Sequence, residues 1–271
     1  PKEWEFRSKP AWQRLIVMLG GIIFNVITGL IIFTSITFYN GEIYLSKNEI
    51  NKNGILALEL GKEAGFVTGD KILMINGNDW ERDAELFNPN LFFDDNTTFR
   101  VERGGQELDI RIPDNFINKM NNREALSSFL KARTPFVVDS VYNNALKAGM
   151  LKGDRIIKVE ENYIVDLYEL KSILERNKSS IIQVTIKRDN KIIEKVIEIS
   201  KDATIGILAL NEPLVFSEKK YNLSESFVLG TKKAFGIVFL NIRAFGKMFS
   251  GDIDPSKNLS GPIGIAQIFG S

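Results

Sequence analysis

The sequence predicts an α+β protein: a membrane-spanning helix, two successive copies of a small β-sheet module, and a C-terminal amphipathic helix. Three observations indicate this order. An uncharged apolar run lies near the N-terminus, a pattern of about sixteen residues occurs twice in the middle, and an apolar stretch interrupted by basic residues follows the second copy. At 271 residues and 44% hydrophobic content, the chain is long enough for an anchor and two domains with buried cores.

The apolar run extends from Leu15 to Tyr39, about 25 residues without a charge. This length crosses a hydrocarbon core of ~30 Å with some tilt. A buried core helix is the alternative, but such helices seldom stay uncharged for so long. The basic residues before the run are Lys2, Arg7, Lys9 and Arg14. By the positive-inside rule they place the N-terminal end in the cytoplasm and everything after Asn40 outside it.

Two residues inside this helix are candidates for contacts at membrane depth. Gly21 permits close approach of another helix, and Asn25 carries an amide that requires a partner in the hydrocarbon region. We therefore expect the helix to pack against others. A single-pass anchor that tolerates one asparagine is the alternative.

An internal repeat determines the predicted architecture of the middle of the chain. Glu63–Asn78 reads EAGFVTGDKILMINGN, and Lys147–Asn162 reads KAGMLKGDRIIKVEEN. Both copies predict a short helix ended by a glycine, a tight turn at a Gly-Asp pair, and then an alternating strand. The positions are Gly65, Gly69 and Asp70 in the first copy and Gly149, Gly153 and Asp154 in the second.

A helix and a strand pair are predicted after each repeat. The helices are Trp80–Phe87 and Asp166–Arg176, and Asp166 can cap the second of these. Leu167, Leu170 and Leu174 fall on one face of that helix at helical spacing. The strands are 97–102 and 107–112 in the first copy and 181–188 and 192–199 in the second.

These elements give a predicted domain organisation. Residues 1–40 form the juxtamembrane segment and membrane helix, 41–113 the first module, 114–134 a polar connector, 135–202 the second module, and 203–271 a loop, an amphipathic helix and the lead-in to another membrane helix. In the last part, basic side chains interrupt the apolar stretch Ser224–Ser250. This pattern favours a helix lying at the membrane surface, and packing against a transmembrane bundle is the alternative.

Composition excludes several kinds of function. The net charge of +1 provides no basic field for nucleic acid, so we expect no DNA or RNA partner. The chain contains neither cysteine nor histidine. A Ser-His-Asp triad, thiolate chemistry and a histidine-ligated zinc site therefore cannot be built from this chain alone.

The repeat x-A-G-x-x-x-G-D-x-I resembles the signature of bacterial PDZ domains, and the whole chain resembles the site-2 protease family, in particular its bacterial regulator of sigma-E protease group. The matching segments are EFRSKPAWQRLIVMLGGIIFN, the two modules, and SGDIDPSKNLSGPIGIA near the end. Gly21 and Asn25 fall where the family often has Gly-Pro-x-x-Asn, although the proline is absent here. The resemblance implies a structural or substrate-facing role for Asn25.

The resemblance implies an intramembrane zinc metalloprotease of the inner membrane, multi-pass in the parent, that cuts transmembrane protein substrates such as anti-sigma factors. The family holds zinc with a His-Glu-x-x-His motif and a Leu-Asp-Gly aspartate, and this chain contains neither motif. We therefore assign no catalytic or metal-binding residue here. Zinc is expected in the full-length parent but not on this fragment, which should be inactive by itself.

The resemblance also implies that the tandem PDZ-like modules lie on the periplasmic side and bind a peptide or chain terminus, or gate access to the active site. A peptide would lie beside the helix that carries Leu167, Leu170 and Leu174. The alternative for these leucines is ordinary core. The alternative for the protein is a non-enzymatic, membrane-tethered PDZ scaffold. An envelope serine protease fits poorly, since no protease domain precedes the repeat.

Overall fold

The computed structural model describes residues 5–93, 96–114, 116–120 and 127–251. They fall into two compact units. We call residues 5–44 with 217–251 the helical unit, and residues 45–216 the sheet unit. The segment NLSGPIGIA, on which part of the family resemblance depends, lies outside the described residues.

The helical unit contains the predicted apolar helix. Helix α1 (Ala11–Asn40) is long and apolar enough to cross a membrane. It ends at Gly41, which has a φ of +65° and donates its N–H to the carbonyl of Thr37. Strand β1 (Glu42–Leu45) follows and pairs with β13 (Phe216–Lys219), which leads into the 27-residue helix α8 (Leu223–Phe249).

Helix α8 packs against α1 within the helical unit. Gly230 makes this approach possible, because a Cβ there would lie 2.7 Å from the backbone nitrogen of Thr34. The basic amphipathic character predicted for this region therefore coexists with an extended helix–helix contact. Its predicted place at the membrane surface stays a prediction.

The sheet unit contains two modules that share a similar succession of strands and short helices. Module 1 comprises α2 (Lys47–Asn53), β2 (Ile55–Ala57), α3 (Glu59–Glu63), β3 (Lys71–Ile75), α4 (Asp83–Leu86), α5 (Asn90–Phe93), β4 (Thr98–Arg103), β5 (Gln106–Arg111) and β6 (Leu130–Ala132). Module 2 comprises β7 (Phe136–Val141), α6 (Asn143–Lys147), β8 (Arg155–Val159), β9 (Asn162–Tyr163), α7 (Leu167–Arg176), β10 (Ile181–Arg188), β11 (Lys191–Glu198) and β12 (Ile207–Asn211).

Strand pairing repeats between the modules. In module 1 the sheet order is β3-β4-β5, and β2 pairs antiparallel with β6. In module 2 the order is β11-β10-β8-β9, and β7 pairs antiparallel with β12. In both modules the first strand is thus closed by the last one, and a hairpin forms most of the main sheet.

Each module has its own core. Module 1 packs phenylalanines edge to face, with Phe66 and Phe129 at a ring separation of 5.6 Å and an angle of 90°. Module 2 has a largely aliphatic core built around side chains such as Ile156, Val184 and Ile186. The short helices that the repeat predicts contribute to both cores, through Leu60 in module 1 and Ala145 in module 2.

The structure differs from the predicted boundaries at two places. The segment 114–134, expected to be a connector, supplies strand β6 and buries Phe116, Met120 and Phe129 in module 1. Residues after 202, expected to form a loop, supply β12. Both strands are recruited because β2 and β7 each require an antiparallel partner for their backbone groups.

The predicted helix Trp80–Phe87 is reduced to the single turn of α4. Trp80 is instead buried, and its Nε1–H donates to the carbonyl of Ile72 at 3.0 Å. Anchoring the indole to β3 holds the chain extended until Asp83. The predicted helix in module 2 is present, since α7 runs from Leu167 to Arg176.

Candidate functional site

The Gly-Asp turn of the repeat has the same geometry in both modules. Gly69 and Gly153 have φ angles of +100° and +89°, values that favour glycine. The buried carboxylate of Asp70 accepts the N–H of Val67 at 2.9 Å, and that of Asp154 accepts the N–H of Leu151 at 2.9 Å. The predicted turns are therefore confirmed, and each aspartate closes its own turn.

A bidentate arginine neutralises each buried aspartate. Arg103 donates from Nε and Nη2 to Asp70 at 2.7 and 2.7 Å, and Arg188 donates to Asp154 at 2.6 and 2.8 Å. These hydrogen bonds raise the pKa of both guanidinium groups. The arginines also donate to a backbone carbonyl, that of Gly65 in one module and that of Gly149 in the other.

Sequence reasoning missed these arginines, although a signal was present. In both copies an arginine ends the first strand of the hairpin, immediately before the two-residue turns Gly104-Gly105 and Asp189-Asn190. Comparing the copies beyond the sixteen-residue pattern would have revealed it. The pairs lie within each module and hold its turn, so they are structural and not catalytic.

Helix α7 begins with the predicted cap. Asp166 accepts the N–H of Tyr168 at 2.8 Å, and Glu169 accepts the N–H of Asp166 at 2.8 Å, which together form a capping box. Leu170 and Leu174 are 1% and 5% exposed and belong to the core of module 2. Leu167 is half-buried and packs on the edge of that core. Their role in a peptide groove stays a prediction.

The N-terminus of α7 is bound to the last residues of module 1. Arg133 donates from Nε and Nη2 to the carboxylate of Glu169 at 2.9 and 2.6 Å. The N–H of Thr134 donates to Asp166 Oδ2 at 2.9 Å. One end of α7 is thus fixed to the link between the modules, and both charged side chains of the ion pair are largely buried.

A polar cleft lies between the two modules. Its volume is about 520 Å³, and it runs from β2 and β6 of module 1 to the start of α7. Leu167 and Tyr168 line one side, and Lys131 lines the other. The volume of the cleft falls in the range of ligand-binding clefts, and its lining is partly polar and partly apolar.

A second cavity, almost wholly apolar, lies beside β6 inside module 1. Its volume is about 330 Å³. Leu86 and Phe87 form one side, and Leu130 forms another. Leu214, which follows β12 in the chain, also lines it. Sequence reasoning missed this cavity because it placed residues 114–134 outside the module.

Two further predicted residues lie on the surface of α1. Asn25 is exposed, and Gly21 has nothing within 4 Å of an added Cβ. The observed contact with α8 uses Thr34 instead. A partner for Asn25 therefore stays a prediction.

Among the residues that the structure describes, no group of three or more acidic side chains could hold a metal ion. The sequence contains no histidine or cysteine that could take part in such a group.

The fold comprises one helix long and apolar enough to cross a membrane and two small β-sheet modules, and comparison with known proteins identifies its family. The chain belongs to Peptidase family M50, which matches residues 1–271. The resemblance to site-2 proteases stated from the sequence is therefore confirmed.

Relatives within the family are similar along nearly the whole chain. A putative zinc metalloprotease of Borreliella burgdorferi is 25% identical over 96% of this chain and 58% of its own length. The regulator of sigma-E protease RseP of Escherichia coli is 25% identical over 97% and 62%. A regulator of sigma E protease of Haemophilus influenzae is 26% identical over 98% and 62%. The chain thus spans about six tenths of the length of these relatives.

Proposed function

We propose that this chain is the central part of an intramembrane zinc metalloprotease that cleaves transmembrane protein substrates. The observation that carries the proposal is the match to Peptidase family M50 along all 271 residues, with relatives named as zinc metalloproteases. In this proposal α1 anchors the protein in the inner membrane and contacts lipid, and both modules lie on the periplasmic side.

The zinc ligands are proposed to lie in parts of the parent protein outside these 271 residues. A hydrolytic zinc ion takes three protein ligands, commonly including histidine, and keeps one position for water. This chain has no histidine and no cysteine, and carboxylates alone suit harder cations. We therefore propose that the isolated chain binds no stoichiometric zinc and has no proteolytic activity.

The two modules are proposed to act as tandem PDZ-like domains that recognise or gate the substrate. Among the described strands, β6 is hydrogen-bonded to β2 alone and β12 to β7 alone, so each of these two strands keeps one edge without a strand partner. An extended peptide can add to such an edge through its backbone. Anti-sigma factors, already trimmed outside the membrane, are the proposed substrate class.

The alternative is a membrane-tethered scaffold that recruits partners without chemistry. A cleavage assay distinguishes the protease from the scaffold. It compares the protein made from the complete reading frame with this chain, each incubated with a transmembrane reporter. Zinc bound to each protein is measured by atomic absorption. We expect cleavage and one zinc ion only for the complete protein. Cleavage by the 271-residue chain would contradict the ligand assignment, and no cleavage by either would favour the scaffold.

A further inference from the structure

The segment 212–216, which follows β12, returns from module 2 to module 1. We call it the strap. The N–H of Glu212 donates to the carbonyl of Pro135 at 2.7 Å, and the Glu212 carboxylate pairs with Arg155. Further along, the N–H of Val215 donates to the carboxylate of Glu49 on α2 at 3.3 Å. The strap is therefore held at both ends, once on each module.

The middle of the strap lies over the apolar cavity beside β6. Leu214 is half-buried and lines that cavity, whereas Val215 and Phe216 are 64% and 57% exposed. Leu214 is thus the apolar strap residue that contributes to the cavity. The other contacts described above are two hydrogen bonds from backbone N–H groups and one part-buried ion pair, few enough to place the strap among the segments that open at low free energy.

The cavity itself has features of a side-chain binding site. About 330 Å³ of space remains beside Leu214, enclosed by apolar side chains including Leu86, Phe87 and Leu130. It borders β6, whose outer edge has no partner among the described strands. An extended peptide on this edge would place alternate side chains toward the cavity.

We propose that the cavity beside β6 binds an aliphatic side chain of an extended peptide. We further propose that the strap competes with this peptide, because Leu214 occupies the mouth of the cavity. The resident leucine shows the chemistry that the cavity accepts. A competitor in the same chain acts at a high effective concentration, so peptides bind only when they displace it. This inference rests on the proposed function only for the nature of the ligand, an extended protein segment.

The proposal has a direct consequence for the sequence that follows the strap. Leu214 stands nine positions before the first residue of α8. Displacing it frees residues 212–215, while β13 remains paired with β1. Peptide binding in module 1 would therefore loosen the chain between β12 and β13.

The test uses the complete 271-residue chain in detergent and a fluorescein-labelled peptide Glu-Pro-Leu-Val-Phe-Ser, the strap extended by Ser217, followed by fluorescence anisotropy. We expect Leu214→Ser to bind this peptide about tenfold more tightly than the unmodified chain, the gain expected from one partly buried aliphatic competitor. Val215→Ser, at an exposed neighbour, should change the affinity less than about twofold. A control peptide in which serine replaces the leucine reports the anisotropy change caused by binding to the detergent micelle alone.

A second pair of measurements locates the binding. Phe87→Trp enlarges a half-buried side chain that lines this cavity and not the cleft between the modules, and it should abolish peptide binding in the Leu214→Ser background. In the unmodified chain, saturating peptide should speed hydrogen exchange of the Val215 N–H, because its bond to Glu49 is released. Equal or weaker binding by Leu214→Ser, or binding that survives Phe87→Trp, would overturn the proposal. The assay involves neither zinc nor proteolysis, so its failure would leave the proposed protease function standing.

Discussion

Arg133 and Glu169 join the two modules through a bidentate ion pair, with donor–acceptor distances of 2.9 and 2.6 Å. Arg133 directly follows the last strand of module 1, and Glu169 lies in the first turn of α7 in module 2. Their side chains are only 14% and 15% exposed, so water screens the pair far less than it screens the pairs on the surface.

Arg133→Gln should loosen the connection between the modules. The substitution leaves the Glu169 carboxylate largely buried without its cation, which costs about 2 kcal/mol. We expect a broader distance distribution between dyes on the hairpin turns at Gly105 and Asn190, measured by single-molecule energy transfer. Lys131→Gln is the control. Identical distributions for both variants would show that the ion pair does not set the orientation.

Arg103→Ala should destabilise module 1 by about 3 kcal/mol, because it leaves the fully buried carboxylate of Asp70 without its cation, with the N–H of Val67 as the remaining donor. The matched control is Arg100→Ala on the same strand. Arg100 forms a bidentate pair with Asp109, but both side chains are exposed, so its loss should cost much less stability than the loss of Arg103. Hydrogen exchange of the β3 amides measures the loss of stability in both variants. Similar losses of stability in the two variants would show that burial of the carboxylate does not determine the strength of the ion pair.

Leu170→Asp should unfold module 2, since burying a carboxylate without a partner costs several kcal/mol. Leu167→Asp, at the half-buried neighbouring position, should preserve the fold and weaken any peptide bound along α7. Circular dichroism and peptide titration distinguish the two effects. A folded Leu170→Asp variant would contradict the core assignment, and unchanged binding by Leu167→Asp would remove α7 from the predicted groove.

Gly230→Leu should separate α8 from α1, because its Cβ would lie 2.7 Å from the Thr34 nitrogen. Overpacking of this kind costs about 1–3 kcal/mol. Spin labels at the exposed positions Phe38 and Phe227 would report a longer distance by electron paramagnetic resonance. Gly236→Leu is the control, since nothing lies within 4 Å of its Cβ. An unchanged distance in Gly230→Leu would mean that the contact adapts without separation.

Residues 45–210 should lie outside the cytoplasm. The basic residues before Leu15 and the uncharged run after it predict this orientation. A reporter that is active only in the cytoplasm, inserted at the exposed hairpin turn of Asn190, should be inactive there. The same reporter at the N-terminus should be active. Activity at Asn190 would reverse the predicted topology.

The elements that sequence reasoning found are those with local signals. The uncharged run gives α1, the repeated glycines and aspartates give the turns, and Asp166 gives the start of α7. Strands β6 and β12 have only three and five residues, and they pair with strands far away in the sequence. No local pattern distinguishes such short segments from loops.

The candidate site was predicted less well for a similar reason. Leu170 and Leu174 have the spacing of a groove face, but helical spacing alone does not separate a face toward a ligand from one toward the core. The pairing of Arg133 with Glu169 spans 36 positions and depends on tertiary contacts. The cavity beside β6 depends on the same strand that the sequence did not reveal.

Strand β6 ends at Ala132 and β7 begins at Phe136, so three residues connect the modules. One of them is Pro135, whose ring fixes its own φ and restricts the residue before it. A link this short and conformationally restricted can extend very little. A force applied to module 1 would therefore be transmitted to module 2 as a rotation about Arg133–Pro135, because the link cannot absorb it by extending.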